Sequence, residues 1–296
     1  GSVKVADNIL HCHKHGGHGN QTLSEGLMNS CNPFFVNIGQ KLGSNNFYKY
    51  FEAFGFTGET DIDLPGEATP VKDVTYHSLE NMGISQLSSS SFGQTFQVSA
   101  MQMITGVSAI ANGGNLMQPY IVGAMLDEDG NTVFEAEPVV RRSVISETTS
   151  KEVLKMMEKV VSEGTGKNAY VPGYHVAGKT GTAEVPGHTD NTVFIAYAPY
   201  DDPQIAVAVV IEYGKDGIYS QGVAKDIFDM YFFGETEDYG DEEVPEIIIP
   251  EIDTSSGDGS RNEAHINQNK KEDNDDSATG GDESKPDSDN SQNSNG

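Results

Sequence analysis

Basic residues are scarce in this sequence of 296 residues. Lysine and arginine number 18 against 45 aspartates and glutamates, so the formal net charge is −27. Proteins that bind nucleic acid through its phosphates gather Lys and Arg, because these side chains displace counterions. The charge balance disfavours that class of function, and we expect no nucleic-acid partner.

Long apolar runs and cysteines are also scarce. No stretch approaches the roughly 18 consecutive apolar residues from which a membrane-spanning helix is predicted, so we expect a soluble polypeptide as given. Cys12 and Cys31 are the only two cysteines. Two are too few for a disulfide framework, and the sequence leaves open whether they pair.

The composition changes near residue 234. Residues 235–296 carry 19 of the acidic residues but only 4 of the basic ones, and most of the remainder are Ser, Asn and Gly. Such a segment has too little apolar surface to offset the entropy of ordering it. We predict a folded body over residues 1–234, followed by an acidic, mostly disordered tail over residues 235–296.

Residues 1–234 alternate between helical and strand patterns. Apolar spacing, capping residues and turn residues predict helices over 22–29, 33–42, 46–54, 98–111, 146–163 and 220–232. They predict a hairpin over 121–135 and three further strands over 174–185, 193–198 and 205–213. This order predicts an α/β (α+β) body in which helices cover an antiparallel sheet.

The segment 173–180, GYHVAGKT, matches the Gly-x-x-x-x-Gly-Lys-Thr pattern of nucleotide-binding loops. Such a loop needs a helix that begins at the lysine, whose free N–H groups and dipole bind phosphates. The four intervening residues favour an extended chain, and Val185 and Pro186 occupy positions where that helix should run. A P-loop nucleotide hydrolase is therefore only a remote alternative.

The same segment, taken as a strand, suits recognition of a peptide. Glycines near Lys179 leave a bare strand edge to which an extended peptide can add. The Lys179 ammonium could hold a terminal carboxylate, and the hydroxyls of Thr180 and Thr182 could donate to it. An ordinary edge strand with a surface lysine is the alternative interpretation.

Three segments match the motifs of one enzyme family in order and spacing. Lys179-Thr-Gly-Thr182 resembles the Lys-Thr-Gly triad of serine penicillin-recognising enzymes, and Ser30-Cys-Asn32 resembles their Ser-x-Asn element. Residues 91–114 resemble the stretch that separates these elements in class B penicillin-binding proteins. The similarity covers about residues 1–233, so we identify the transpeptidase part of such a protein.

The resemblance implies the penicillin-binding-protein and serine β-lactamase-like fold, an antiparallel sheet with helices and a helical subdomain. It also implies serine acyl transfer at D-Ala-D-Ala, which cross-links peptidoglycan stem peptides and is blocked by β-lactams. No cofactor is expected. The family acts at the extracytoplasmic face of the cell membrane, and divisome or spore-wall proteins are candidate partners.

The resemblance also assigns roles to residues. Ser30 would relay protons near the leaving nitrogen, and Asn32 would bind the amide side of the substrate. Lys179 would supply positive potential to both Ser30 and the substrate carboxylate. The substrate-binding positions on the same strand would be Thr180, Gly181 and Thr182, with the N–H of Thr182 as half of an oxyanion hole.

The family's nucleophile motif, Ser-x-x-Lys, is missing. No lysine in the sequence has a serine three residues before it, and the nearest spacing is Thr148-Thr-Ser-Lys151. We therefore expect a fragment, incomplete at its N-terminus, that does not react covalently with penicillin. A catalytically inert module that binds peptidoglycan or β-lactams is the alternative.

Four of the eight histidines lie close together in the segment 11–18, HCHKHGGH. Histidine and cysteine at this density could hold Zn²⁺ or Cu²⁺. Strand alternation would place His11, His13 and His15 on one side, with His18 beyond them. Because no second ligand pair is obvious, we favour a polar loop over the substrate cleft and treat the metal site as a weak candidate.

Overall fold

The computed structural model describes residues 1–234. Within them the helices are α1 (Leu23–Met28), α2 (Asn32–Leu42), α3 (Ser44–Ala53), α4 (Ile84–Ser90), α5 (Ala100–Ala111), α6 (Glu147–Ser162) and α7 (Gly217–Phe233). The strands are β1 (Ser2–Val5), β2 (Asn8–His11), β3 (Asn115–Met117), β4 (Ala124–Leu126), β5 (Thr132–Glu135), β6 (Val140–Ser143), β7 (Ala177–Ala183), β8 (Asn191–Ala198) and β9 (Ile205–Ile211). The predicted acidic tail, 235–296, lies outside the described residues.

The central sheet is antiparallel with the order β7-β8-β9. Strand β8 is apolar on both faces because helices cover both sides of the sheet, and it is the most completely buried of the three strands. Strand β7 pairs with β8 alone, with Lys179 opposite Ile195. One edge of β7 is therefore free of strand pairing within the described residues, as the peptide-binding interpretation requires.

Each face of this sheet packs against helices. On one face Phe194 is fully buried against Ala224 and Phe228 of α7. On the other face Tyr197 is fully buried against α5 and α6, and its hydroxyl donates to Sδ of Met157 at 2.9 Å. The sheet is thus the middle of three layers, and the α5–α6 face is the one that turns Lys179 toward the N-terminal helices.

Most predicted elements are confirmed, with shifts of a few residues at their ends. The helix predicted over 146–163 is α6, the one over 98–111 is α5, and the hairpin over 121–135 is β4–β5. The strand predicted over 174–185 is shorter, because β8 supplies partners only for Ala177–Ala183. The sequence pattern did not predict α4 or the short strand pairs β1–β2 and β3–β6.

No helix among residues 1–234 combines the length and apolar content that crossing a membrane requires.

Candidate active site

The turn between α1 and α2 presents Ser30. A capping box of Thr22 and Glu25 begins α1, and Asn32-Pro33 begins α2, so the chain must reverse between them. Ser30 has a positive φ of 49°, a conformation that few non-glycine residues adopt. The N–H of Ser30 donates to the Leu27 carbonyl at 3.1 Å. This tight turn leaves the Ser30 hydroxyl partly exposed.

Lys179 reaches this turn from the edge strand β7. Its Nζ donates to Oγ of Ser30 at 2.9 Å and to the main-chain carbonyl of Thr180 at 2.6 Å. Burial of the ammonium lowers the pKa of Lys179 from 10.5 to about 8. No acidic side chain within residues 1–234 forms an ion pair with Lys179. The structure thus joins two of the three segments that carry the family resemblance, Ser30-Cys-Asn32 and Lys179-Thr-Gly-Thr182.

Thr165 holds β7 against the Ser30 turn. Its hydroxyl shares a hydrogen bond of 2.9 Å with that of Thr180, and its N–H donates to the carbonyl of Met28 at 3.3 Å. Gly164 must be small, because a Cβ there would lie 2.5 Å from the same Met28 carbonyl oxygen. The sequence pattern predicted no role for Thr165. Its only signal was the small-residue segment Gly164-Thr-Gly166, whose contacts depend on the tertiary fold.

The outer part of β7 stays accessible. Gly181 is half-buried and Thr182 is exposed. The side chain of Gln94, another residue that was not selected, donates to the main-chain carbonyl of Thr182 at 3.4 Å. Of the two threonines, Thr182 therefore keeps its hydroxyl available for a ligand, whereas the Thr180 hydroxyl is engaged with Thr165.

A hydrogen bond connects Asn32 to the N-terminal hairpin formed by β1 and β2. Its Nδ2 donates to the carbonyl of His11 at 3.1 Å, which joins the start of α2 to the end of β2. The structure thus places Asn32 next to Ser30 in the chain, with its amide turned to β2.

The nucleotide-binding alternative is wrong. Strand β7 runs through Lys179 and continues to Ala183, so no helix begins at the lysine. The extended backbone that pairs with β8 lacks the cluster of free N–H groups that a phosphate loop provides. Residues 173–180 therefore match the nucleotide-binding sequence pattern without forming the corresponding loop.

The expected arrangement of the histidines is also wrong. Strand β2 ends at His11, so alternation does not carry on to His13 and His15. The chain instead turns back and places His18 beside Cys12 and His13. Both cysteines are free and buried.

The chain is similar to known proteins over most of residues 1–234. The model of the penicillin binding protein transpeptidase domain matches residues 3–230. The chain belongs to this family. It is 42% identical over 229 residues to stage V sporulation protein D of Bacillus subtilis, an alignment covering 75% of this chain and 35% of that protein. It is 28% identical over 243 residues to the peptidoglycan D,D-transpeptidase MrdA of Acinetobacter baumannii. That alignment covers 74% of this chain and 35% of MrdA.

Solved structures agree with this membership. The D,D-transpeptidase domain of a peptidoglycan glycosyltransferase from Eggerthella lenta is 29% identical, with a TM-score of 0.68 over 76% of this chain and 56% of that one. Penicillin-binding protein 3 of Mycobacterium tuberculosis, complexed with ampicillin, is 25% identical, with a TM-score of 0.69. The superposition covers 81% of this chain and 57% of that one. The predicted fold class is therefore confirmed. The chain spans about a third of the length of the two curated relatives.

Proposed function

We propose that this chain forms the Lys-Thr-Gly and Ser-x-Asn side of a peptidoglycan D,D-transpeptidase active site of the class B penicillin-binding type. The observation that carries the proposal is the 2.9 Å hydrogen bond between Nζ of Lys179 and Oγ of Ser30. It brings together two groups 149 residues apart in the chain, each belonging to a motif of the family.

The pair suits proton transfer during acyl exchange. A serine oxygen attacks the carbonyl between the last two D-alanines, the C–N bond breaks, and the departing nitrogen takes up a proton. Ser30 can donate that proton and recover one from Lys179, whose pKa of about 8 lies close to neutral pH. In the second half of the reaction, an amine of a neighbouring stem peptide attacks the acyl-enzyme and forms the cross-link, while the serine oxygen regains its proton.

The exposed edge of β7 suits an extended peptide that ends in a carboxylate. A stem peptide would add alongside β7, as strands add to free sheet edges. Its terminal carboxylate would meet the ammonium of Lys179 and the hydroxyl of Thr182, while Gly181 keeps the edge open. The N–H of Thr182 would stabilise the oxyanion. A β-lactam carries a comparable carboxylate and would occupy the same groove.

The remaining parts of the site lie outside this sequence. We propose that a Ser-x-x-Lys segment outside these 296 residues supplies the nucleophile and its base, and that the site works at the extracytoplasmic face of the membrane. The coding sequence ahead of residue 1 tests this directly. A Ser-x-x-Lys encoded there in the same reading frame is the expected result, because the family combines this motif with Ser-x-Asn and Lys-Thr-Gly.

Covalent labelling with a fluorescent penicillin tests the chemistry. The 296-residue chain is expected to stay unlabelled, whereas the product of the full reading frame is expected to be labelled. In that longer product, Lys179→Ala should slow acylation by about 10² to 10⁴, the usual contribution of a positioned acid–base group. Lys151→Ala, which changes an exposed lysine on α6, is the matched control and should leave the rate unchanged.

Two results would contradict the proposal. Labelling of the 296-residue chain itself would show that the nucleophile lies within it. A full-length product that binds penicillin without forming a covalent bond would instead support the inert binding module.

A further inference from the structure

A cluster of metal-binding side chains follows β2, separate from the bond between Ser30 and Lys179. Sγ of Cys12 lies 3.4 Å from Nδ1 of His18 and 3.9 Å from Nδ1 of His13. One ligand atom from each of the three residues lies within 4.8 Å of the others. Ligand atoms of a tetrahedral zinc site lie about 3.3 to 3.8 Å apart, given bonds of about 2.0 to 2.3 Å. The two separations from Sγ of Cys12, 3.4 and 3.9 Å, are therefore close to the spacing that a single ion requires.

The loop is shaped to bring these side chains together. Lys14 accepts a hydrogen bond of 2.8 Å from the N–H of Gly17, which closes a turn directly after His13. Gly17 and Gly19 have positive φ values of 71° and 66°, a conformation that glycine adopts without strain. These residues return the chain so that His18 reaches Cys12. His11 and His15 lie outside the cluster.

A second turn supplies a further sulfur. Cys31 precedes Asn32 in the chain, and Cys12 follows His11. Because Asn32 donates a hydrogen bond to the carbonyl of His11, the two cysteines lie in neighbouring segments. The side chains of Cys12 and Cys31 interact with each other. Both thiols are buried, with exposures of 7% for Cys12 and 4% for Cys31. Structural zinc sites draw their ligands from two such separate turns.

We propose that Cys12, His13 and His18 bind one Zn²⁺ ion and that Cys31, which lies outside this group of three but interacts with Cys12, supplies the fourth ligand. Thiolate and imidazole are ligands that zinc prefers, and two of each complete a tetrahedral shell. The ion would join the loop after β2 to the turn that carries Ser30, and so would fix one wall of the candidate active site. Binding would release the thiol protons to solvent. The inference does not depend on the proposed transpeptidase function.

Cobalt is a spectroscopic probe of this site, because Co²⁺ bound by thiolates absorbs visibly whereas Zn²⁺ does not. The reduced, metal-free chain of 296 residues is titrated with Co²⁺ under argon. We expect thiolate-to-cobalt charge-transfer and tetrahedral ligand-field bands that saturate at one equivalent and disappear when Zn²⁺ is added. Competition is expected to give a Kd for Zn²⁺ below about 1 µM. Bands that are absent, or that grow beyond one equivalent, would overturn the proposal.

Substitutions identify the ligands. His18→Asn is expected to weaken Co²⁺ binding at least about tenfold, and Cys31→Ser to reduce the charge-transfer intensity by about half. His15→Asn changes a histidine of the same loop outside the cluster and should leave the titration unchanged. Equal weakening by His15→Asn and His18→Asn would show adventitious surface binding and would overturn the site.

A thermal readout separates metal binding from a folding defect. Zn²⁺ is expected to raise the Tm of the unaltered chain and of His15→Asn, because a ligand that binds only the folded state stabilises it. It should leave the Tm of His18→Asn unchanged, although metal-free samples of all three give the same far-UV circular dichroism spectrum. A zinc-induced rise of equal size in all three would contradict the assignment.

Discussion

At the scale of single residues, Lys179 is the most unusual group of the candidate site. It is a lysine on a sheet edge, half-buried, with a hydroxyl and a carbonyl as its hydrogen-bond acceptors and no carboxylate paired with it in residues 1–234. Burial disfavours its charged form, and this is why its pKa falls to about 8. The motif identified Lys179 from the sequence, but the size and sign of this shift depend on neighbours that only the fold provides.

The depressed pKa predicts how the reactivity of Lys179 depends on pH. Only the neutral amine reacts with an acylating reagent, and it becomes the major form as the pH rises through about 8. Lys179 is expected to be modified half-maximally near pH 8, as measured by mass spectrometry after brief labelling. The urea-unfolded chain is the control, in which the same residue should require a pH near its ordinary value of 10.5. Half-maximal labelling near 10.5 in the folded protein would contradict the assignment.

At the scale of elements, local patterns predicted the strongest helices and strands. The continuous apolar run of β8 and the apolar stripe of α6 each span many residues, so single exceptions do not hide them. The elements that were missed are short. Helix α4 has seven residues and its sequence, ISQLSSS, is rich in serine, which is a poor helix former. Strands β1, β2, β3 and β6 have three or four residues each and exist because of their partners.

Two glycines in different elements predict stability changes of opposite sign. A Cβ at Gly178 in β7 would lie 2.7 Å from the Phe194 ring and 2.9 Å from the Ile195 carbonyl oxygen. Gly178→Ala is therefore expected to destabilise the protein by about 1 to 3 kcal/mol through overpacking. A Cβ at Gly222 in α7 meets nothing within 4 Å. Gly222→Ala should instead stabilise by about 0.5 to 1 kcal/mol, through helix propensity.

Urea unfolding of both variants measures this difference. A smaller midpoint for Gly178→Ala and a larger one for Gly222→Ala, at equal slopes, is the expected result. Unchanged stability of Gly178→Ala would show that β7 and β8 are less closely packed around Gly178 than the distances indicate.

At the scale of the whole molecule, the candidate site depends on contacts between distant parts of the chain. Ser30 and Lys179 are 149 residues apart, and Gln94 and Thr182 are 88 apart. Thr165 connects the end of α1 to β7 and so keeps the two sides in register. No part of this arrangement can exist in an isolated helix or hairpin, so the site should be lost and formed together with the fold.

Cooperative unfolding tests this dependence. The labelling of Lys179 is expected to follow the same urea transition as far-UV circular dichroism, because a two-state domain loses its long-range contacts in one step. Coincident midpoints are the expected outcome. Exposure of Lys179 at clearly lower urea would reveal that the α1–α2 region opens on its own while the sheet stays folded.

The sequence by itself determined the family motifs, their order, the extended conformation at Lys179 and the larger helices, because each depends on residues close together in the chain. The tertiary structure decided which of these residues meet. In it Lys179 donates a hydrogen bond to Ser30, and the hydroxyls of Thr180 and Thr165 share another. The amide of Asn32 donates to the last residue of β2, and Cys31 interacts with Cys12. Such contacts follow from the packing of helices on the sheet, and the periodicity of residues along the chain does not predict them.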